Sequence, residues 1–168
     1  RYQPLAVVPP AFVHLEEGVQ IFEGPRAKDL RLKVIAGAAR AEGRVRLQVP
    51  SAWKVEPAER AFSLSRAGEE QNLSFRLTPP ASAASGELRV EVDTGTGFIA
   101  ARSLVKLDHP HIPLQTLLPG ARVRLERFDL KHNGHRIGYV MGAGDEIPGS
   151  LRRLGYEVSL LSDEALAS

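Results

Sequence analysis

Apolar and polar positions alternate through the first two thirds of the chain. Leu30, Leu32 and Val34 are separated by Arg31 and Lys33, with Ile35 next in line. Val45, Leu47 and Val49 alternate with Arg44, Arg46 and Gln48, and Leu73, Phe75 and Leu77 with Ser74, Arg76 and Thr78. Leu88, Val90 and Val92 alternate with Arg89, Glu91 and Asp93. A period of two gives each strand one apolar and one polar face. Antiparallel sheets with a single face on a core show this pattern.

Turn residues separate the runs: Ala41-Glu42-Gly43, Pro50, Pro57, Ala67-Gly68 and Pro79-Pro80. Gly95-Thr96-Gly97 predicts a hairpin joining Glu87–Thr94 to Phe98–Leu107. About seven short strands by residue 107 predict an Ig-like antiparallel β-sandwich over residues 1–107. The pattern then breaks. Asp108 to Gly120 (DHPHIPLQTLLPG) holds three prolines, which disfavour both helix and central strand. This predicts a Pro-rich linker over residues 108–121.

A different unit is expected over residues 122–168. Arg122 to Lys131 reads as a strand and Asn133-Gly134 as a two-residue turn. Arg136 to Met141 (RIGYVM) is a short apolar run of the kind found in buried parallel strands. Asp145 can cap a helix with Ile147, Leu151 and Leu154 on one face, stopped by Gly155. Tyr156 to Leu161 is a second apolar strand, and Ser162-Asp163-Glu164 reads as another helix start. The fold class expected is therefore mainly β, a sandwich followed by a short, truncated β-α-β unit. One such unit cannot cover both faces of a parallel sheet. Its unfinished sheet predicts an exposed apolar edge and a homodimer formed through it.

Composition narrows the function classes. Of 168 residues, 43% are hydrophobic and 25% charged, so a core of useful size fits. With six Phe, three Tyr and one Trp, aliphatic side chains must build most of it. The net charge is +2 although the pI is 9.2, and basic residues alternate with acids along the chain. Such spacing is unlike the basic stripe with aromatics that nucleic acid requires, so no nucleic-acid partner is expected. The chain has no cysteine, which excludes disulfides, thiolate zinc sites and cysteine nucleophiles. No apolar run approaches the roughly 20 residues of a membrane span. The opening Arg1-Tyr2, without Met or a signal peptide, predicts an N-terminus made by processing or by design.

Two stretches carry a family resemblance. Pro50, Trp53-Lys54-Val55, Pro57, Phe62-Ser63-Leu64, Gly68-Glu69, Phe75 and Pro79-Pro80 resemble the Ig-like module beside sugar-binding domains in bacterial alpha-galactosidases. That resemblance covers most of residues 13–107. His109-Pro110-His111-Ile112-Pro113, Gln115-Thr116-Leu117 and Ile137 to Glu146 (IGYVMGAGDE) resemble the C-terminal half of large bacterial proteins of the PIG-L (LmbE-like) deacetylase family. There a zinc-dependent N-deacetylase domain precedes an Ig-like module and a class I glutamine amidotransferase-like, flavodoxin-like α/β domain. The resemblance implies a secreted or periplasmic bacterial protein acting on glycans. The Ala-His-Pro-Asp-Asp signature of the deacetylase is absent from this sequence, so no catalytic residue carries over and no cofactor is expected.

Each candidate site has a structural counterpart. Trp53 could stack on a sugar, or anchor a core poor in aromatics. Gly142 and Gly144, between strand and helix, resemble part of a dinucleotide fingerprint, with Asp163 where a ribose-binding acid would lie. Ile147 occupies the third glycine position, however, and Asp145 would set a negative charge near the phosphates. The alternative is a tight turn with an Asp cap. His109 and His111 form a His-x-His pair, and His132 and His135 flank the Asn133-Gly134 turn, but structural zinc takes four protein ligands and none completes either set. Glu16-Glu17 and Glu69-Glu70 lie in turns, where neighbours point apart rather than facing each other across a substrate. The expected function is a non-catalytic spacer that positions the catalytic domain of a parent chain. The alternatives are a carbohydrate-binding module with a glycan partner, and small-ligand or nucleotide binding through Gly142, Gly144 and Asp145.

Overall fold

A computed structural model describes residues 9–109, 111–129, 134–142 and 145–162. The chain is mainly β. Eight strands follow one another closely: β1 (Ala11–Leu15), β2 (Val19–Phe22), β3 (Lys28–Ala36), β4 (Ala41–Gln48), β5 (Lys54–Glu56), β6 (Glu59–Leu64), β7 (Glu70–Thr78) and β8 (Ala84–Asp93). Then come β9 (Ile99–Ala100), β10 (Val105–His109), β11 (Ile112–Leu117) and β12 (Arg122–Arg127). One sheet has the order β1-β3-β7-β5; the other runs β2-β12-β8-β4-β6, with β9 beside β8. The stretch β1–β2 changes sheets at Glu16–Gly18. Its first part pairs antiparallel with β3 and its second parallel with β12.

Alternation explains the core. Leu30, Leu32, Val34, Leu73, Phe75 and Leu77 point inward from one sheet; Val45, Leu47, Leu88, Val90 and Val92 from the other. Each fully buried aliphatic or aromatic side chain contributes about 1.5–3 kcal/mol. Val49, expected with this set, is only half-buried at the margin. Side chains cap the outer edge at the C-terminal end of β6. Gln71 Oε1 accepts the Ser63 N–H at 3.1 Å, and Glu69 Oε2 accepts the N–H groups of Ser65 (2.8 Å) and Arg66 (3.1 Å). An edge so capped is a poor template for another strand.

The boundaries at 107 and 122 do not match the structure. Arg122–Arg127 is a strand of the sandwich, wedged between β2 and β8, with Val123 and Leu125 at 0% exposure. The described residues of 108–121 are not an extended linker. They belong largely to an antiparallel hairpin, β10–β11, which accommodates Pro113 because a two-stranded ribbon leaves half its backbone groups unpaired. The base of this arm is tied to the sandwich. Ser103 N–H donates to the Pro119 carbonyl at 2.8 Å and Ser103 Oγ to the Val13 carbonyl at 2.7 Å. The hairpin expected at Gly95–Gly97 does form, but its second strand is only Ile99–Ala100.

Where the arm leaves and returns, three backbones close a ring. Ala101 N–H donates to the Val90 carbonyl (2.9 Å), Val90 N–H to Ala121 (3.0 Å), and Ala121 N–H to Ala101 (2.9 Å). β9 and β12 thus occupy successive stretches of the same edge of β8.

At the other end of β12, Arg127 takes an inward position with a side chain only 3% exposed. Its Nη2 donates to the Ala81 carbonyl at 2.8 Å, and Nη1 lies 2.8 Å from Asp129 Oδ1. That contact is an ion pair without hydrogen-bond alignment, and Nε has no partner. The desolvation of a buried guanidinium served so incompletely offsets much of what its ion pair contributes.

Beyond it, β13 (Arg136–Val140) and β14 (Glu157–Leu161) pair in parallel, with the seven-residue helix α1 (Ile147–Arg153) between them in sequence. Gly155, at φ +85°, ends the helix as expected. Its N–H donates to the Arg152 carbonyl at 3.1 Å and that of Tyr156 to Leu151 at 3.2 Å, the bond pair of a Schellman motif. Ile147 does not join the covered face; it is 52% exposed, while Pro148 is buried. Val140, Met141 and Leu160 also remain about half exposed.

Candidate functional site

The turn after β13 gathers its hydrogen bonds on Asp145. Asp145 Oδ1 accepts the Ile147 N–H at 2.9 Å, and Oδ2 accepts the Tyr139 hydroxyl. The Tyr139 hydroxyl, then the N–H groups of Ile147 and Gly142, hold the Asp145 carboxyl below the ordinary carboxylate value. The same bond to Asp145 raises the Tyr139 phenol above its usual value. Both shifts describe a neutral phenol donating to a carboxylate. Asp145 therefore ties the turn together, although the residue immediately before the helix is Glu146, whose side chain makes no cap bond. Gly144 and Asp163 lie outside the described residues. Asp145 is thus engaged by its own turn, and the helix that follows, α1, is seven residues long.

This network has a pH signature. A lowered folded-state pKa means that the stabilising contribution is present above the unfolded value and is lost as pH falls through the folded one. Tyr139→Phe removes the largest cause of the lowering. Asp145 should then titrate at a higher pH in a carboxyl-carbon NMR titration, and the turn should loosen at correspondingly milder acidity. An unchanged Asp145 titration in the variant would show that the phenol does not hold the carboxylate.

Trp53 is 4% exposed, and its ring meets Phe22 edge-on at 5.1 Å and 70°. It cannot present a face to a sugar, which removes it from the binding residues. His111 is exposed; the side chain of His109, and His132 altogether, lie outside the description, and His135 is exposed at the start of β13. Among the described residues, no three His, Asp or Glu side chains are grouped to hold a metal ion. Of the acidic pairs, Glu17 accepts Gln20 Nε2 at 2.8 Å and Glu70 pairs with Lys33 at 2.8 Å. With Glu69 on the Ser65 and Arg66 amides, these carboxylates serve turns and strands.

A cluster that the linear sequence conceals lies over the three-backbone ring. Val90, Ala101 and Ala121 are all buried, so alternation turns their neighbours Arg89, Arg102 and Arg122 outward. The three line one groove of about 400 Å³ with Glu87. Arg89 and Arg122 are direct cross-strand partners, an arrangement of like charges that costs stability. Glu87 serves both: Oε1 accepts Arg89 Nε at 2.7 Å, and Oε2 lies 3.6 Å from Arg122 Nη1. The hydrogen bond and charge of Arg89, then the charge of Arg122, hold the Glu87 carboxyl below its ordinary value. Arg102 Nη1 donates to the Leu118 carbonyl at 3.4 Å, and no carboxylate among the described residues pairs with it. Elsewhere on this sheet face Arg44 pairs with Glu59 and Asp93, Arg46 pairs with Glu91 while stacking on Phe98 at 4.0 Å, and Arg124, directly across from Glu87, pairs with Glu126.

The matched segment lies within this sandwich. Residues 28–94 match the family described as NPCBM-associated, NEW3 domain of alpha-galactosidase. The match begins with β3 and ends just past β8, leaving β1, β2 and β12 outside it. No curated protein matches the chain. Among solved structures, a trypsin-activated alpha-2-macroglobulin from Escherichia coli is similar at 12% identity and a TM-score of 0.46, over 84% of this chain and 9% of that one. A Salmonella alpha-2-macroglobulin is similar at 14% identity and 0.45, over 74% and 7%. SSP-19, an MSP-domain protein like family member of Caenorhabditis elegans, is similar at 7% identity and 0.36, over 66% and 94%. The chain thus spans under a tenth of the alpha-2-macroglobulins it resembles.

Proposed function

We propose that this chain is a non-catalytic accessory module of a glycan-active protein and positions a catalytic domain carried elsewhere in that protein. The family match over the centre of the sandwich carries the reading. Strand order supports an Ig-like fold for it: β1-β3-β7-β5 corresponds to the A-B-E-D sheet, and β2-β12-β8-β4-β6 to a G-F-C sheet widened at both edges. Glu17, Glu69 and Glu70 are engaged within the fold, by Gln20, by the Ser65 and Arg66 amides and by Lys33. A PIG-L-type deacetylase parent, an amidotransferase-like continuation after β13 and export to the periplasm or beyond rest on the motifs at 109–117 and 137–146.

The reading predicts that the 168-residue chain hydrolyses neither aryl α-galactosides nor N-acetylated amino sugars. It also predicts that neutral galacto-oligosaccharides give no heat in a calorimetric titration. Turnover above background that Tyr139→Phe or Asp145→Asn abolishes would overturn it.

A further inference from the structure

Electrostatic frustration marks the groove over the three-backbone ring. Three guanidiniums face a single carboxylate there, and two of them stand directly opposite each other on paired strands. The neighbouring arginines of this sheet, Arg44, Arg46 and Arg124, each pair with a carboxylate of their own, so the excess of positive charge is local. Places where a fold departs from its own charge pairing are where function is expected. All three cations are arginines, whose planar forks match carboxylate and sulfate oxygens two at a time. The scaffold beneath them is rigid: the ring of hydrogen bonds at Val90, Ala101 and Ala121 and the buried side chains of those residues set their spacing.

We propose that Arg89, Arg102 and Arg122, with Glu87 between two of them, form a binding site for an acidic polysaccharide, one bearing uronate or sulfate-ester groups. Glu87 decides between polyanions. An anionic ligand without hydroxyl donors would offer this carboxylate only repulsion. A sugar polymer carries both kinds of partner, hydroxyls that donate to Glu87 and anionic oxygens that accept from the arginines. The choice of a glycan also rests on the glycan-active reading of the chain. The site gives the module a second task, holding the protein on a charged polymer while a catalytic domain works.

The full chain is titrated at low ionic strength with a tetramer of galacturonic acid, a neutral galactose oligomer of equal length, and inorganic sulfate. The acidic tetramer should bind, weaken as salt rises, and outcompete sulfate, while the neutral oligomer gives no signal. Replacing Arg89 and Arg122 together by Gln should weaken binding roughly ten- to a hundredfold. The melting temperature should hold or rise, because a like-charge pair is relieved. Absence of acidic-tetramer binding, binding that the substitutions leave unchanged, or sulfate binding as tightly as the tetramer would each overturn the site. None of these outcomes touches the accessory-module reading, which turnover or neutral-oligosaccharide binding tests separately.

Discussion

Trp53→Ala should lower the unfolding free energy by about 3–5 kcal/mol, a large share of the 5–15 kcal/mol typical of a domain. The indole is 4% exposed and lies just before β5, where the backbone N–H of Trp53 donates to the Pro50 carbonyl at 2.9 Å. Its ring contact with Phe22 has a particular consequence. Phe22 ends β2, which is parallel to β12, so removing Trp53 withdraws support from the strand pair that closes the sheet. An edge-to-face pair adds about 0.5–1.5 kcal/mol beyond its area. Chemical denaturation measures the loss. A change under about 1 kcal/mol would place Trp53 at the surface rather than in the core.

Much of the sandwich could be read from alternation. Leu30 to Val34, Leu73 to Leu77 and Leu88 to Val92 each bury the face their period predicts. The first strands were harder to see. Ala11, Phe12 and Val13 are consecutive buried residues and so have no period, and β2 is only four residues long. Arg122 to Arg127 does alternate, but its position after three prolines assigned it to the wrong unit. Proline disfavours a central strand, and nothing in the spacing distinguishes a linker from an arm that departs at Ser103 and returns at Gly120. Arg127 added to this ambiguity, because a charged residue at an inward position reads as the end of a strand rather than part of its buried face.

Sites were less legible than strands. Asp145 was visible as a cap, but its partner Tyr139 was not, since a bond across a strand-to-helix turn has no sequence period. Arg89, Arg102 and Arg122 come from three segments that meet only at the ring of hydrogen bonds. Each is adjacent to a small or β-branched apolar residue, a signal shared with most arginines in this chain. Charge counted along the sequence averages the cluster away, because Glu87 and Glu91 bracket Arg89 on the same strand. Trp53 could be read either way, since aromatic rings serve cores and sugar platforms alike.

The account stands on one architectural claim, that β12 closes the sandwich from beyond the β10–β11 arm. Val123 and Leu125, both at 0% exposure, each contribute about 1.5–3 kcal/mol of burial. Without β12, the N–H of Val90 loses the Ala121 carbonyl, and β2 loses its parallel partner. The direct test compares two shortened chains, residues 9–107 and residues 9–129, by urea unfolding followed through Trp53 fluorescence. The 9–129 chain should unfold in one cooperative transition with Trp53 shielded in the native baseline. The 9–107 chain should show an exposed tryptophan and no transition. If residues 9–107 unfold as cooperatively, and at the same urea midpoint, as residues 9–129, the sandwich ends where the alternating pattern first suggested and β12 is not part of it.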